Sequence, residues 1–471
     1  MNTTLLGTAL AVFLILMFAI GWWAQGRIHD VEDYLVAGRQ LSFPLACATL
    51  FATWFGAGTL LTATDEIRAE GLRAAALEPI GPGLCLVLAG LFFARRLWDL
   101  KLLTLPDFYR GRFGPRAELI ASVIMVPGYF GWIAAQFVAL ASILELFWGV
   151  PLVHGIWLVA AVGTGYTLLG GMWSVTLTDA VQLAILLAGL LVLGVATLVA
   201  LGGGDGAASG WLRLLAETPT DKLMLMPTES AAELLGWLSV LAIGMLGNIP
   251  GQDLAQRIFA ARSANVAVAA CLVAGVCYVL LGFVPAFSGL AADLLGLTED
   301  PRGTLPLLAS TLLSPPFAVL FVLALTSAVM STIDSAILAP ASVLSNNLLA
   351  RFWPDRSRLA LGRSAVVAIA IVSLVMSYLG QSAYELLETA YAVGMVGLFV
   401  PLACGLWSRR GTEHAAVVSM LTGITVWGAH LALGYESFGG PLLGSIYLPQ
   451  ELGATLIAWI AYEIVGVVDR R

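Results

Sequence analysis

Charge is what this chain has least of. Only 11% of its 471 residues are Asp, Glu, Lys or Arg, against about 25% in soluble domains. With 59% hydrophobic residues, that scarcity argues against a soluble protein and places most of the chain in a bilayer. Basic runs are missing, so nucleic acid is not an expected partner. No polar stretch is long enough to bury a core of its own, and no Gly-rich phosphate loop of the Walker type occurs. ATP-driven chemistry is therefore not expected of this chain. Cysteine is sparse: Cys47, Cys85, Cys271, Cys277 and Cys404 sit in apolar segments without metal-ligand spacing and read as packing residues. No nucleophile–base pair stands out, so an enzyme and an organic cofactor are not expected.

What is present is long apolar runs. Thirteen spans are expected, near 5–24, 43–64, 74–94, 117–147, 152–170, 175–201, 233–255, 264–288, 314–348, 361–379, 382–407, 413–433 and 448–468. The first reads as a retained helix, since no charged segment precedes it. Placing the N-terminus outside and alternating puts 18 of the 23 Lys and Arg residues inside and 5 outside. That bias fits the positive-inside rule and predicts a multi-pass protein of the plasma (inner) membrane with a cytoplasmic C-terminus.

Two spans are interrupted. The second carries Ala52-Thr53-Trp54-Phe55-Gly56-Ala57-Gly58, and the seventh carries Gly247-Asn248-Ile249-Pro250-Gly251-Gln252-Asp253. They are five apart in order. Matching breaks in two halves point to a binding site near the bilayer midplane and to inverted repeats. The unwound backbone would free carbonyls for a cation. A polar seam in the ninth span adds oxygens. Ala328, Ser331, Thr332 and Ser335 share one helical face, with Asp334 beside it. Hard oxygen ligands suit a hard cation, but small and hydroxyl residues also serve close helix packing. The seam alone leaves both readings open. Other polar residues that fall in or near spans include Glu78, near the outer end of the third, Asp179 in the sixth and Asp253 after the break in the seventh. Such residues are costly there and mark solute or ion paths.

Further strings carry a resemblance. Asp33-Tyr34 with Gly38-Arg39, Leu105-Pro106-Asp107-Phe108-Tyr109, Gly170-Gly171 through Asp179 to Gln182, Gln256-Arg257, and Ala328-Val329-Met330-Ser331-Thr332 together resemble the sodium:solute symporter family over nearly the whole chain. The resemblance implies an all-α polytopic fold of 13 transmembrane helices in one transporter domain, 1–471. A leading helix (5–24) would precede a five-plus-five inverted repeat (43–201 and 233–407), and two trailing helices (413–468) would follow. It also implies a Na⁺ site formed by the carbonyls of Ala52, Phe55 and Ala328 and the hydroxyls of Ser331 and Thr332. Asp179, Asp334 and Ser335 are candidates for a second ion site. Within the family, Ala52-Thr53-Trp54 and Ser331-Thr332-Ile333-Asp334-Ser335 are nearest to the high-affinity choline transporter branch. There, aromatic rings cage the ammonium. Trp54 and Trp132 match two of them, while Gly251 and Pro82 stand where aromatics are found. Solute contacts are thus expected from Trp54, Trp132, Gly251, Asp253 and Pro82. Trp54 also replaces the Asp found in proline carriers, which counts against proline.

The expected function is Na⁺-coupled import of a small organic solute by alternating access, with the lipid bilayer as the medium. The solute is choline-like, another small amine or an amino-acid-like compound. A solute sensor, a passive channel, or a symporter for a monocarboxylate or sugar are the alternatives.

Overall fold

A computed structural model describes residues 3–298, 303–379, 383–408, 411–435, 437–440 and 447–469, excepting the side chains of 383–387. Every element of length in this range is helical, and pairing in the extended conformation is confined to isolated bridges such as Leu41 with Ala261. Ten helices among the described residues are long and apolar enough to cross a membrane, or eleven with one bent pair. The thirteen expected spans differ from this number at identifiable places. Residues 152–202 form one kinked helix, and 233–255 is split into two short ones.

The helices that matter for the site are, in order, α1 (Thr3–Gln25), α2 (Phe43–Trp54), α3 (Ala63–Glu70), α4 (Ile80–Leu88), α5 (Pro115–Trp148), α6 (Leu152–Gly202), α7 (Ala231–Leu246), α8 (Gln252–Ala260), α9 (Ala264–Leu294) and α10 (Pro315–Val343). The last of those near the site is α11 (Ala383–Gly394). Helix α10 is the central post. In its apolar window 78% of residues are buried, against 22% for the peripheral α1. Most of its hydroxyls find partners in this dry setting, Ser327 Oγ being the exception. Thr326 donates to the Val322 carbonyl at 2.9 Å and Thr332 to the Ala328 carbonyl at 3.1 Å, a back-bonding pattern open to Ser and Thr inside helices.

Helix α6 has 51 residues. At 1.5 Å per residue it would extend about 77 Å if straight, over twice the roughly 30 Å hydrocarbon core. Gly171 breaks it, with φ 49° and ψ −141°, a conformation that a side chain would disfavour. The Tyr34 carbonyl and ring press against the place its Cβ would take. This is why the Gly170-Gly171 pair sits between two spans.

The Leu105-Pro106-Asp107-Phe108-Tyr109 string opens a short helix, Leu105–Arg112, with a capping box between Thr104 and Asp107. It docks against α8 and the turn that follows α10. The Leu105 amide donates to Gln252 Oε1 at 2.7 Å, and Asn347 Nδ2 donates to Asp107 Oδ1 at 2.8 Å. Helix α8 is thereby held at its first residue, one position before Asp253.

Candidate functional site

The first break is electrically neutral. Helix α2 stops at Trp54, Phe55 adopts φ −77°, ψ 62°, and the chain resumes through a wide π turn at Gly58–Thr62. The halves of this span are bent by 58°. Gly56 is required by close approach: a Cβ there would collide with Thr332 Oγ1 and come within 3.0 Å of Gln136 Oε1. Four of the five expected ion ligands converge here. Ser331 Oγ lies 2.9 Å from both the Ala52 and Ala328 carbonyls, and Thr332 Oγ1 lies 3.1 Å from the latter. Phe55, the fifth, is fully buried and directly precedes Gly56. Each hydroxyl lies within hydrogen-bond reach of a carbonyl, so the cluster gathers neutral oxygens of the kind that suit a hard cation.

The second break is anionic. Between α7 and α8 the chain turns at residues 247–251, and Asp253 lies in the first turn of α8. Its carboxylate is gripped by two aromatic donors. Tyr129 OH lies 2.5 Å from Oδ1, and the Trp54 indole N–H donates to Oδ2. The Asp253 amide in turn lies 3.2 Å from the Tyr129 oxygen. A small cavity of about 50 Å³ opens beside it, lined among others by Tyr129, Trp132, Gly251, Asp253, Tyr391 and Gly394. Of the expected solute residues, Trp132, Gly251 and Asp253 line the cavity, and Trp54 reaches it through Asp253. Pro82 does not: it is buried in α4.

Tyr129 and Tyr391 were not singled out from sequence. They supply the aromatic faces that Gly251 and Pro82 lack. Tyr129 had a signal, since it stands three residues before Trp132 and therefore shares its helical face; the rings are 5.9 Å apart. Tyr391 had none, because only the fold brings α11 to this wall.

Between the breaks lies a residue placed outside the spans by its sequence position. The expected seventh span ends at 255, but α8 continues to Ala260 and carries Arg257 into the interior. Arg257 is 1% exposed. It donates to the Thr49 carbonyl and hydroxyl at 3.2 and 3.1 Å, to the Asp253 carbonyl at 3.0 Å and to Ser335 Oγ at 2.5 Å. It lies 3.8 Å from Asp179 Oδ2, which also accepts from Thr49 Oγ1 at 2.5 Å. Asp334 is one step further out, 3.3 Å from Ser335 Oγ and 3.5 Å from Thr178 Oγ1. The proposed second-ion residues are thus brought together, but with a guanidinium among them. One Asp179 oxygen and both amide atoms of Gln182 have no protein partner.

Comparisons with known proteins bear on this geometry. A model of the sodium:solute symporter family matches residues 34–423. The human high affinity choline transporter 1 is 28% identical over 441 residues, covering 88% of this chain and 75% of that protein. The high-affinity proline transporter PutP of Bacillus subtilis (strain 168) is 27% identical over 437 residues, covering 87% and 89%. Among solved structures, a Na⁺-coupled sialic acid symporter in a substrate-bound outward-open state superposes with a TM-score of 0.81 at 18% identity, covering 98% of this chain and 97% of that one. At that identity the likeness concerns the fold.

Proposed function

Because the chain belongs to the sodium:solute symporter family, we propose that it imports a small organic solute bearing a cationic nitrogen, driven by Na⁺ moving down its gradient. The observation that carries the solute class is the Asp253 carboxylate held by Trp54 and Tyr129 at the edge of an aromatic cavity. A carboxylate gives charge attraction, and the Tyr and Trp faces give cation–π attraction. Choline-like compounds and small amines meet both demands. Sugars and monocarboxylates offer no positive charge to either.

In this reading Na⁺ binds at the first break, on the carbonyls of Ala52, Phe55 and Ala328 and the hydroxyls of Ser331 and Thr332. The residues between 43–201 and 233–407 form two inverted five-span halves, with one span before and two after, thirteen in all. The N-terminus faces outside and the C-terminus the cytoplasm. Alternating access moves one half against the other around the paired breaks. Trp54 ties the two sites: it lies between Ala52 and Phe55 in the chain while its side chain holds Asp253. Na⁺ that orders the α2 break therefore also orders the solute wall, which makes the two affinities reciprocal.

The test is a thermal-shift screen of choline, small primary to quaternary amines, proline, sugars and monocarboxylates, in Na⁺ and in K⁺, followed by proteoliposome uptake of the hits. A native-state ligand raises the apparent stability. Stabilisation by an amine in Na⁺ but not K⁺ is expected. Uptake indifferent to Na⁺, or a hit confined to uncharged or anionic solutes, overturns the reading.

A further inference from the structure

Glu78 is 3% exposed and lies within the apolar segment Leu72–Asp99. It makes no ion pair among the described residues. Its neighbours are three hydroxyl groups from three other segments. Tyr391 OH lies 3.2 Å from Oε1. Thr59 Oγ1 lies 2.8 Å from Oε2, Tyr278 OH lies 3.0 Å from Oε2, and the two hydroxyl oxygens are 2.6 Å apart. Tyr278 OH is also 2.9 Å from the Trp54 carbonyl. The titratable groups facing Glu78 are Tyr278 and Tyr391, with Asp253 across the solute cavity from Tyr391 and Cys85 on its own segment.

Counting protons favours one state of this cluster. The Trp54 carbonyl can only accept, so the proton of Tyr278 goes there. The Thr59 proton can serve either Tyr278 or Glu78, not both. If Glu78 is ionised, the 2.6 Å or the 2.8 Å contact between oxygens has no proton in it. A proton on Oε2 completes a one-way chain: Glu78 donates to Thr59, Thr59 to Tyr278, and Tyr278 to the Trp54 carbonyl. Tyr391 then donates to Oε1. Of the five contacts only the 3.0 Å one between Tyr278 and Oε2 is then without a proton, against two when Glu78 is ionised, and no bare charge is left buried.

We propose that Glu78 is a proton-binding site of the transport cycle, protonated in this arrangement and deprotonated when Tyr391 and Thr59 draw apart. The carboxyl proton then leaves to water admitted through the solute cavity, whose wall includes Tyr391. The chain ends on Trp54, the last residue of α2 before the first break, so proton and Na⁺ occupancy are linked and favour this same arrangement. This linkage rests on the Na⁺ reading above; the protonation itself does not.

Two measurements on the full chain in lipid test it. Infrared difference spectroscopy at neutral pH, without solute, is expected to show a protonated-carboxyl C=O band that Glu78→Gln removes and alkaline titration abolishes. If Glu78→Gln does not fold, Tyr391→Phe is used instead and shifts the band by removing its hydrogen bond. No carboxyl band sensitive to either change overturns the proton site. Radioactive Na⁺ binding between pH 6 and pH 9 then tests the linkage. Half-saturating Na⁺ rises on the order of fivefold or more with pH in the wild type and stays flat in Glu78→Gln. Equal pH dependence in both overturns the linkage. Absence of Na⁺ binding at every pH overturns the Na⁺ reading instead, with the infrared result still deciding the proton site.

Discussion

The two breaks in this protein use the same backbone device for opposite electrostatics. At the first, between Trp54 and Gly58, the convergent groups are carbonyls and hydroxyls with no formal charge. At the second, between Leu246 and Gln252, a carboxylate stands among aromatic rings. Neutral oxygens at short range select a small bare cation, whose desolvation they offset one ligand at a time. A carboxylate with ring faces favours a bulky cation that keeps little water. Under the proposed assignment, separating the two chemistries lets each site reject the other's ligand, while Trp54 and Arg257 join the two breaks.

The sharpest way to break that comparison is to neutralise the second break alone. Asp253→Asn leaves the volume unchanged but removes the charge to which Trp54 and Tyr129 donate. Hydrogen bonds to charged groups contribute roughly 1.5–3 kcal/mol, so solute affinity is expected to fall about 10- to 150-fold. Na⁺-induced stabilisation should persist, checked by thermal shift beside uptake. A parallel collapse of Na⁺ binding would mean that the breaks are one site. Next in size is the reverse experiment. Thr332→Ala or Ser331→Ala deletes one of five oxygens, a loss of about 1–2 kcal/mol. Half-saturating Na⁺ should rise about 5- to 30-fold, while maximal uptake at saturating Na⁺ is largely kept. Unchanged Na⁺ dependence removes these hydroxyls from the ligand set.

Both breaks were legible in the sequence because glycines, joined by Pro250 in the second, cluster within a few residues in the middle of an apolar run, at matching places five spans apart. The hydroxyl seam was legible for a similar reason, since Ala328, Ser331 and Thr332 fall at helical spacing. What stayed hidden was everything fixed by contact between distant segments. Arg257 looked like a cytoplasmic charge because a span was ended at 255; only the observed run of α8 to Ala260 and its bonds to Thr49 and Ser335 bring it inside. Its position four residues after Asp253, one turn on, was the available signal. Tyr391 and Tyr278 carry no local pattern that distinguishes them from packing aromatics. Pro82 shows the converse. A position carried over by resemblance need not face the cavity when the side chain there is too short and apolar to reach it.

A steric probe addresses how tightly the breaks are coupled. Gly56→Ala puts a methyl group against Thr332 Oγ1 and Gln136 Oε1. Overpacking of this kind costs about 1–3 kcal/mol. Because Gly56 sits at the first break but two residues from Trp54, both Na⁺ and solute affinities should fall, the first by more. Equal, severe losses with a lowered melting temperature would mark global damage instead.

The smallest expected effect separates ring contact from charge at the second break. Trp132 lines the cavity but makes no hydrogen bond to Asp253; its ring lies 5.9 Å from that of Tyr129. Trp132→Phe keeps an aromatic face of weaker negative potential, whereas Trp132→Leu keeps bulk and loses the face. Cation–π contributions run from about 0.5 to 2 kcal/mol. Solute affinity should therefore drop about twofold in the first variant and up to about 30-fold in the second, with Na⁺ dependence unmoved in both. The order of the two variants is what matters. If Trp132→Leu transports as well as Trp132→Phe, the wall acts by shape alone, and Asp253 would be the only group at the second break that reads the charge of the solute.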